Sequence, residues 1–418
     1  MNTQCHRIFG SSFFAIAFII LLGSCSENQS LVREGTWRGE FLISQQSAPV
    51  TFNVTKDSLQ ELTITFINGK ERAAYSGIRS EKDSVIIPLD IYDSYLIVNS
   101  EGNSLKGFYR KNGSSVKGIP FEAKHGESHR FVSASNISAT DLSGTWDVEI
   151  QNNNDTTINH TVGLFEQSGN ELTGTIMTTT GDYRYFAGKI DGTGLELSAF
   201  SGSAPRLIKG KLLDEDNFEA ELIGFSGRSK LKGKRNTQAA LPDAYKLTYL
   251  KDTTRRFTFT FPDLEGRSVS LTDEKYKGKV VIVTILGSWC PNCIDENAFL
   301  APWYKANRNR GIEIIGLAFE RKDDLAFAKG KLDTFKKKFD VEYDILFAGK
   351  ADKKEASEKL NQLNAVLSFP TTIFIDRAGK VRKIHTGFTG PATGRYYDEY
   401  VLEFNREVDN LVNEPNPI

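Results

Sequence analysis

The sequence predicts a multidomain fold: an all-β N-terminal part made of two antiparallel repeats of about 100 residues each, barrel or sandwich, followed by a C-terminal α/β domain. Three observations carry this. Before residue 250 the chain is a series of short alternating segments separated by Gly, Asn, Ser and Asp, such as residues 50–55 (VTFNVT), 62–67 (LTITFI) and 85–87 (VII). Period-two alternation between turn residues marks antiparallel strands. Within this half, landmarks recur at near-constant spacing: Gly35-Thr-Trp37 with Gly144-Thr-Trp146, Glu61-Leu-Thr63 with Glu171-Leu-Thr173, and Gly77 with Gly188. Such spacing points to duplicated units. After residue 250, apolar β-branched runs alternate with helix-period segments, which predicts a mixed sheet covered on both faces.

Taken in order, residues 1–25 read as an export signal. His6 and Arg7 give a modestly basic start, Phe13 to Leu22 an apolar stretch, and Leu22-Gly-Ser-Cys25 has the form of a lipobox. Cleavage and lipidation are therefore expected at Cys25. The apolar run falls short of the roughly 20 residues a membrane span needs. Residues 26–34 are a polar tether, 35–130 and 140–236 the two β repeats, 237–254 a linker, and 255–418 the α/β domain. Each repeat holds about eight candidate strands by alternation; two small barrels, two sandwiches or one shared sandwich all fit. Trp37 and Trp146 are expected in the core, and His125, His129 and His160 at the surface. The α/β domain opens with a hairpin around residues 263–266. Strand 280–286, a helix to residue 307, strand 311–319 and a long helix over 323–339 follow. A short strand at 344–347, a helix over 353–363, a hairpin of 371–375 with 380–384 and a final helix over 396–412 complete it.

The formal charge is −1, from 52 basic and 53 acidic residues, with no basic stripe, so nucleic acid is not an expected partner. The four cysteines are Cys5, Cys25, Cys290 and Cys293. Processing would remove the first and block the second. Two thiols then remain, which cannot mispair, an arrangement suited to exchange chemistry outside the cytoplasm. Both lie in Trp289-Cys290-Pro291-Asn292-Cys293, between an apolar strand and a helix. A sulfur at a helix start is favoured as thiolate by the N–H groups and the dipole there. No second Cys-x-x-Cys or His cluster completes a zinc site, and no metal is expected.

From residue 255 onward the chain resembles the thioredoxin fold, in the branch of membrane-tethered envelope thiol–disulfide oxidoreductases typified by TlpA and ResA. The resemblance covers about 40% of the chain and rests on features in a fixed order: residues 261–271 (FPDLEGRSVSL), 278–283 (GKVVIV), 289–293 (WCPNC) and 369–380 (FPTTIFIDRAGK). It implies roles residue by residue. Cys290 would be the nucleophile and Cys293 the resolving thiol, with no cofactor beyond their disulfide. Pro370 would be a cis-proline beside the sulfurs, with Phe369 and Thr371 presenting backbone to substrate. Trp289 and Pro291 would shape the same surface. Thioredoxin's buried acid six residues before the first cysteine is replaced here by Thr284, whereas Glu296 matches an acid of the ResA-like branch and would shuttle a proton to Cys293. Asp295 reads as a surface residue. The helix-kinking proline of many thioredoxins is absent at Ala298, and Pro302 lies one turn later.

The implied partners are disulfide-containing envelope proteins, a membrane thiol protein as electron donor, and the membrane itself through the lipid on Cys25. The expected place is the cell envelope, facing the periplasm. Two other readings compete. In one, the β repeats carry the main function as a binding scaffold. The other is a thiol peroxidase, for which residues 284–290 lack the Pro-x-x-x-Thr-x-x-Cys pattern. A copper site using His385 is a further alternative, with the cysteine spacing against it. The simplest role for the β repeats is a spacer that lifts the redox site off the bilayer.

Overall fold

The computed structural model describes residues 32–114, 117–132, 140–153, 155–225 and 227–415. The export signal and the lipidated Cys25 expected from the sequence lie outside the described residues. No helix among the described residues is long and apolar enough to cross a membrane.

The first repeat contributes β1 (Gly35–Ile43), β2 (Gln46–Lys56), β3 (Leu62–Asn68), β4 (Glu71–Tyr75), β5 (Arg79–Glu81), β6 (Ser84–Leu89), β7 (Ser94–Glu101), β8 (Ser104–Lys111) and β9 (Ile119–His125). They form one antiparallel sheet in the order β4-β3-β2-β1-β9-β8-β7-β6-β5, an open half-barrel. The second contributes β10 (Gly144–Asn152), β11 (Ile158–Ser168), β12 (Glu171–Thr178), β13 (Gly181–Asp182), β14 (Phe186–Asp191), β15 (Gly194–Ala199), β16 (Arg206–Leu212), β17 (Asn217–Gly224) and β18 (Gly227–Arg235). Here β12 pairs with both β11 and β14, which closes eight strands into a barrel. Among the described residues each repeat has nine strands rather than eight; β5 and β13 are too short to show an alternation in sequence.

The repeated landmarks have a common physical cause. Gly35 and Gly144 share φ 117°, a conformation open to glycine, and each turns the chain into the first strand of its unit. Two residues on, Trp37 and Trp146 are fully buried, and each indole N–H donates to the carbonyl four residues back, Arg33 at 2.9 Å and Leu142 at 3.0 Å. His129 and His160 are exposed. His125 is only half-exposed, with its ring edge-on to Trp37 and Nε2 at the Glu34 carbonyl.

The C-terminal part holds a hairpin of β19 (Thr260–Pro262) and β20 (Ser268–Ser270), then β21 (Val280–Leu286), α1 (Pro291–Asn307), β22 (Ile312–Glu320), α2 (Leu325–Phe339), β23 (Asp344–Lys350), α3 (Lys353–Lys359), β24 (Thr371–Ile375), β25 (Val381–Thr386) and α4 (Arg395–Asn413). The sheet runs β23-β22-β21-β24-β25, with β21 parallel to β22, β22 parallel to β23, and β24 and β25 antiparallel. Every residue of β21 and β22 is buried, as helices on both faces of a sheet require. Residue 363 was expected to end the third helix, which instead stops at Lys359. The backbone at 362–364 pairs with the linker: Lys251 N–H donates to the Gln362 carbonyl and Asn364 N–H to the Tyr249 carbonyl.

Candidate redox site

Cys290 is the N-cap of α1, and Pro291 occupies the first helical position, where a missing N–H costs nothing. This geometry turns the Cys293 N–H toward the Cys290 sulfur at 3.4 Å. A sulfur thus takes the place that a Ser or Asp oxygen has in an ordinary cap. Cys290 also donates to the Phe369 carbonyl at 3.2 Å. Both cysteines are free thiols; Cys290 is 5% exposed and Cys293 is fully buried. Burial pushes the Cys293 thiol well above its usual range, and the neighbouring Cys290 and Glu296 push it further.

The Phe369–Pro370 peptide bond is cis. Of the residues flanking Pro370, Phe369 faces the sulfur. Thr371 does not: it is a sheet residue registered with Ile285 and Thr386, and its hydroxyl donates to the Ser368 carbonyl at 2.9 Å. Trp289 stands edge-on to Phe369 with ring centroids 5.7 Å apart, and its indole N–H donates to the Phe319 carbonyl at 2.9 Å.

Glu296 lies fully buried under α1 against the sheet. Its two oxygens accept from Thr284 and Thr372, each at 2.6 Å, residues registered opposite each other on β21 and β24. Desolvation raises its pKa to about 7, against the two hydroxyl bonds that favour the ionised form. A second buried acid, Glu320, shares the property: desolvation raises it to about 7 while it accepts from the Ser288 N–H and hydroxyl, fixing the loop before Trp289. Its one sequence signal is a charge closing an otherwise largely apolar strand, which carries one other acid, Glu313.

Asp295 is a correction. The sequence placed it at the surface, but its side chain is only 13% exposed and pairs with Arg184 of the second repeat at 2.9 Å. Burial raises it to about 7, opposed by Arg184. Arg184 also bonds Glu71 of the first repeat at 2.6 Å and the Pro291 carbonyl at 3.3 Å. One guanidinium therefore joins all three units at the start of the redox helix. The β repeats thus touch the site. His385, on β25, packs between the rings of Tyr245 and Tyr400 with Nδ1 2.9 Å from the Gly387 carbonyl; burial lowers its pKa to about 4. Among the described residues, no group of three or more His, Cys, Asp and Glu is placed to hold a metal ion.

Comparison with known proteins agrees with this geometry. Residues 252–384 match the AhpC/TSA family. Thiol-disulfide oxidoreductase ResA of Geobacillus thermodenitrificans is 30% identical over 129 residues, 31% of this chain and 66% of that protein. ResA of Bacillus thuringiensis subsp. konkukian is 29% identical over 143 residues, 34% of this chain and 72% of its own length. Among solved structures, a DsbF homologue from Corynebacterium diphtheriae (20% identity, TM-score 0.30) covers 40% of this chain and is itself 98% covered. A thiol:disulfide interchange protein DsbE from Chlorobium tepidum (23% identity, TM-score 0.28) covers 36% and is itself 96% covered. The stretch of chain from residue 252 to 384 is thus a thioredoxin-fold domain of the AhpC/TSA family, of the kind found in ResA/TlpA-like thiol-disulfide oxidoreductases.

Proposed function

We propose that this chain is a membrane-anchored reductase of disulfides in exported proteins, held in the cell envelope by a lipid on Cys25. The observation that carries the reading is the Cys290 sulfur capping α1 with the Cys293 N–H turned toward it, and the Cys293 thiol buried directly behind. The Cys290 thiolate attacks one sulfur of a substrate disulfide, expelling the other as a thiolate and forming a mixed disulfide. Cys293 then loses its proton and attacks Cys290. The second substrate sulfur leaves, and Cys290–Cys293 becomes a disulfide. Two electrons have passed to the substrate, and a thiol protein of the membrane restores the dithiol.

Resolution needs a base for the Cys293 proton, because burial holds that thiol protonated. Glu296, one helical turn on and raised to about 7, accepts it, with Thr284 and Thr372 holding the carboxylate. Trp289, Pro291 and Phe369 shape the surface that meets the substrate, and the two sulfurs need no further cofactor. Equilibrating the protein with defined dithiol buffers tests this. A reductase is expected to have a potential of roughly −270 to −220 mV, whereas roughly −180 to −120 mV would make it an oxidant or isomerase of exported proteins. Failure of Cys290 and Cys293 to form a disulfide at any potential overturns the reading.

A further inference from the structure

The dithiol lies where four segments meet: the Trp289 loop, the start of α1, residues 368–370, and residues 387–390 just past β25. The β repeats contact each of these segments. From the second repeat, residues 178–185 lie across three of the segments. The Thr180 carbonyl accepts from the Ser368 hydroxyl at 3.0 Å. The backbone of Thr180 rests on Gly387, where an added Cβ would lie 2.7 Å from the Thr180 carbonyl carbon. Gly387 in turn donates its N–H to the Pro370 carbonyl at 2.9 Å, so Thr180 sits beside the segment that carries the cis-proline. Gly181 touches Asn292, between the two cysteines, so closely that a Cβ there would collide with the Asn292 amide. Asp182 accepts from the Gly390 N–H at 2.8 Å and from the Arg184 N–H at 2.6 Å. Arg184 closes the far side on Asp295 and the Pro291 carbonyl.

The first repeat covers the fourth segment. Its turn at Asp90–Tyr92 lies beside Trp289, with a crevice of about 10 Å³ between them, room for at most one water. Asp93 anchors that turn to α2 through Lys331 at 2.5 Å. Beneath these contacts Cys290 is 5% exposed. Disulfide exchange requires a substrate sulfur to contact the Cys290 sulfur, which a folded protein disulfide cannot do past these contacts.

We propose that residues 178–185 are a built-in occupant of the substrate groove, so that the β repeats form a lid over the dithiol. The groove formed by Asn292, Ser368, Gly387 and Gly390 accepts the tip of a tight turn with a small residue opposite Asn292, as the Thr179-Thr180 turn and Gly181 supply. A protein disulfide carried on an exposed turn displaces this hairpin and takes its place. The ion pairs of Arg184 with Asp295 and Glu71 are the latch. Substrates that cannot displace the hairpin are excluded, and the dithiol is shielded from chance oxidants between turnovers. This inference rests on the oxidoreductase reading for its substrate, but the closed lid is measurable without it.

The test uses the full chain in three forms: unaltered, Arg184→Ala and Gly181→Ala, with Arg184→Lys as the charge-retaining control. The rate of Cys290 alkylation by iodoacetamide in the reduced protein reads lid opening. The rate of insulin disulfide reduction reads access for a protein substrate. Arg184→Ala and Gly181→Ala are expected to raise both rates at least about tenfold, with Arg184→Lys close to the unaltered protein. Unchanged or slower alkylation in both alanine variants, with the folded far-UV circular dichroism retained, overturns the lid. Faster alkylation with no insulin reduction in any form supports the lid and overturns the reductase reading instead.

Discussion

The two β repeats share landmarks, strand count and strand order, yet one is open and the other closed. The difference traces to the fourth strand of each. In the first repeat, β4 runs five residues along β3, from Glu71 opposite Asn68 to Tyr75 opposite Ile64, and takes the edge where closure would occur. In the second, β13 keeps only Gly181 and Asp182, paired at the end of β12, so residues 171–174 are free to pair with β14 and close the barrel. Each edge meets a neighbour. The half-barrel receives Phe200 of the second repeat, whose ring lies 4.4 Å from Phe41 and 4.8 Å from Phe66, while Asn68 bonds its N–H and carbonyl. The hairpin around β13 extends to the dithiol. Duplicated units have diverged at an edge that reaches another part of the molecule.

The sharpest way to break this comparison is Phe200→Ala. If the open repeat is held by its neighbour, the change costs about 3–5 kcal/mol in denaturant unfolding, as a buried Phe in a core would. A loss under about 1 kcal/mol would mean the half-barrel is stable unplugged.

A second contrast lies between neighbours on α1. Asp295 faces the β repeats and has a cation, whereas Glu296 faces the sheet and has only hydroxyls. Glu296 has a folded pKa of about 7, above its ordinary 4.5, so between those values the folded state binds more protons than the unfolded. Its contribution is intact below about 4.5 and stability falls as pH rises through about 7. Glu296→Gln should therefore match the unaltered protein at pH 4 and exceed it by about 3 kcal/mol at pH 8, while slowing resolution of the mixed disulfide. Equal stability at both pH values would remove the buried-acid account.

Asn68→Ala, which orphans the Phe200 backbone at the open edge, is expected to cost about 2 kcal/mol by urea titration. The smallest effect compares Trp37→Phe with Trp146→Phe. Both lose the same indole bond, so each should cost about 1 kcal/mol, and unequal losses would show that the repeats differ in their first strands too.

What was legible in the sequence was local. The apolar run at 280–286, the Cys-Pro-Asn-Cys cap and the Gly-Thr-Trp landmarks each reveal themselves within ten residues, because period, capping and turn chemistry act at that range. Glu296 was legible because it lies one turn beyond Cys293. Asp295 was misplaced because its partner, Arg184, is over a hundred residues away, and no pattern around either announces the other. Barrel closure was hidden for the same reason: it turns on which edge a two-residue strand leaves free. The hairpin over the dithiol reads in sequence as an ordinary turn.

The most direct test of the central claim, that the β repeats sit on the dithiol in the resting protein, is amide hydrogen exchange of the reduced full chain read at residues 178–185 and at Gly390. The account predicts slow exchange of the Gly390 amide, held by Asp182, and of the Arg184 amide, with both accelerated together in Arg184→Ala. Exchange at free-loop rates in the unaltered protein would contradict it.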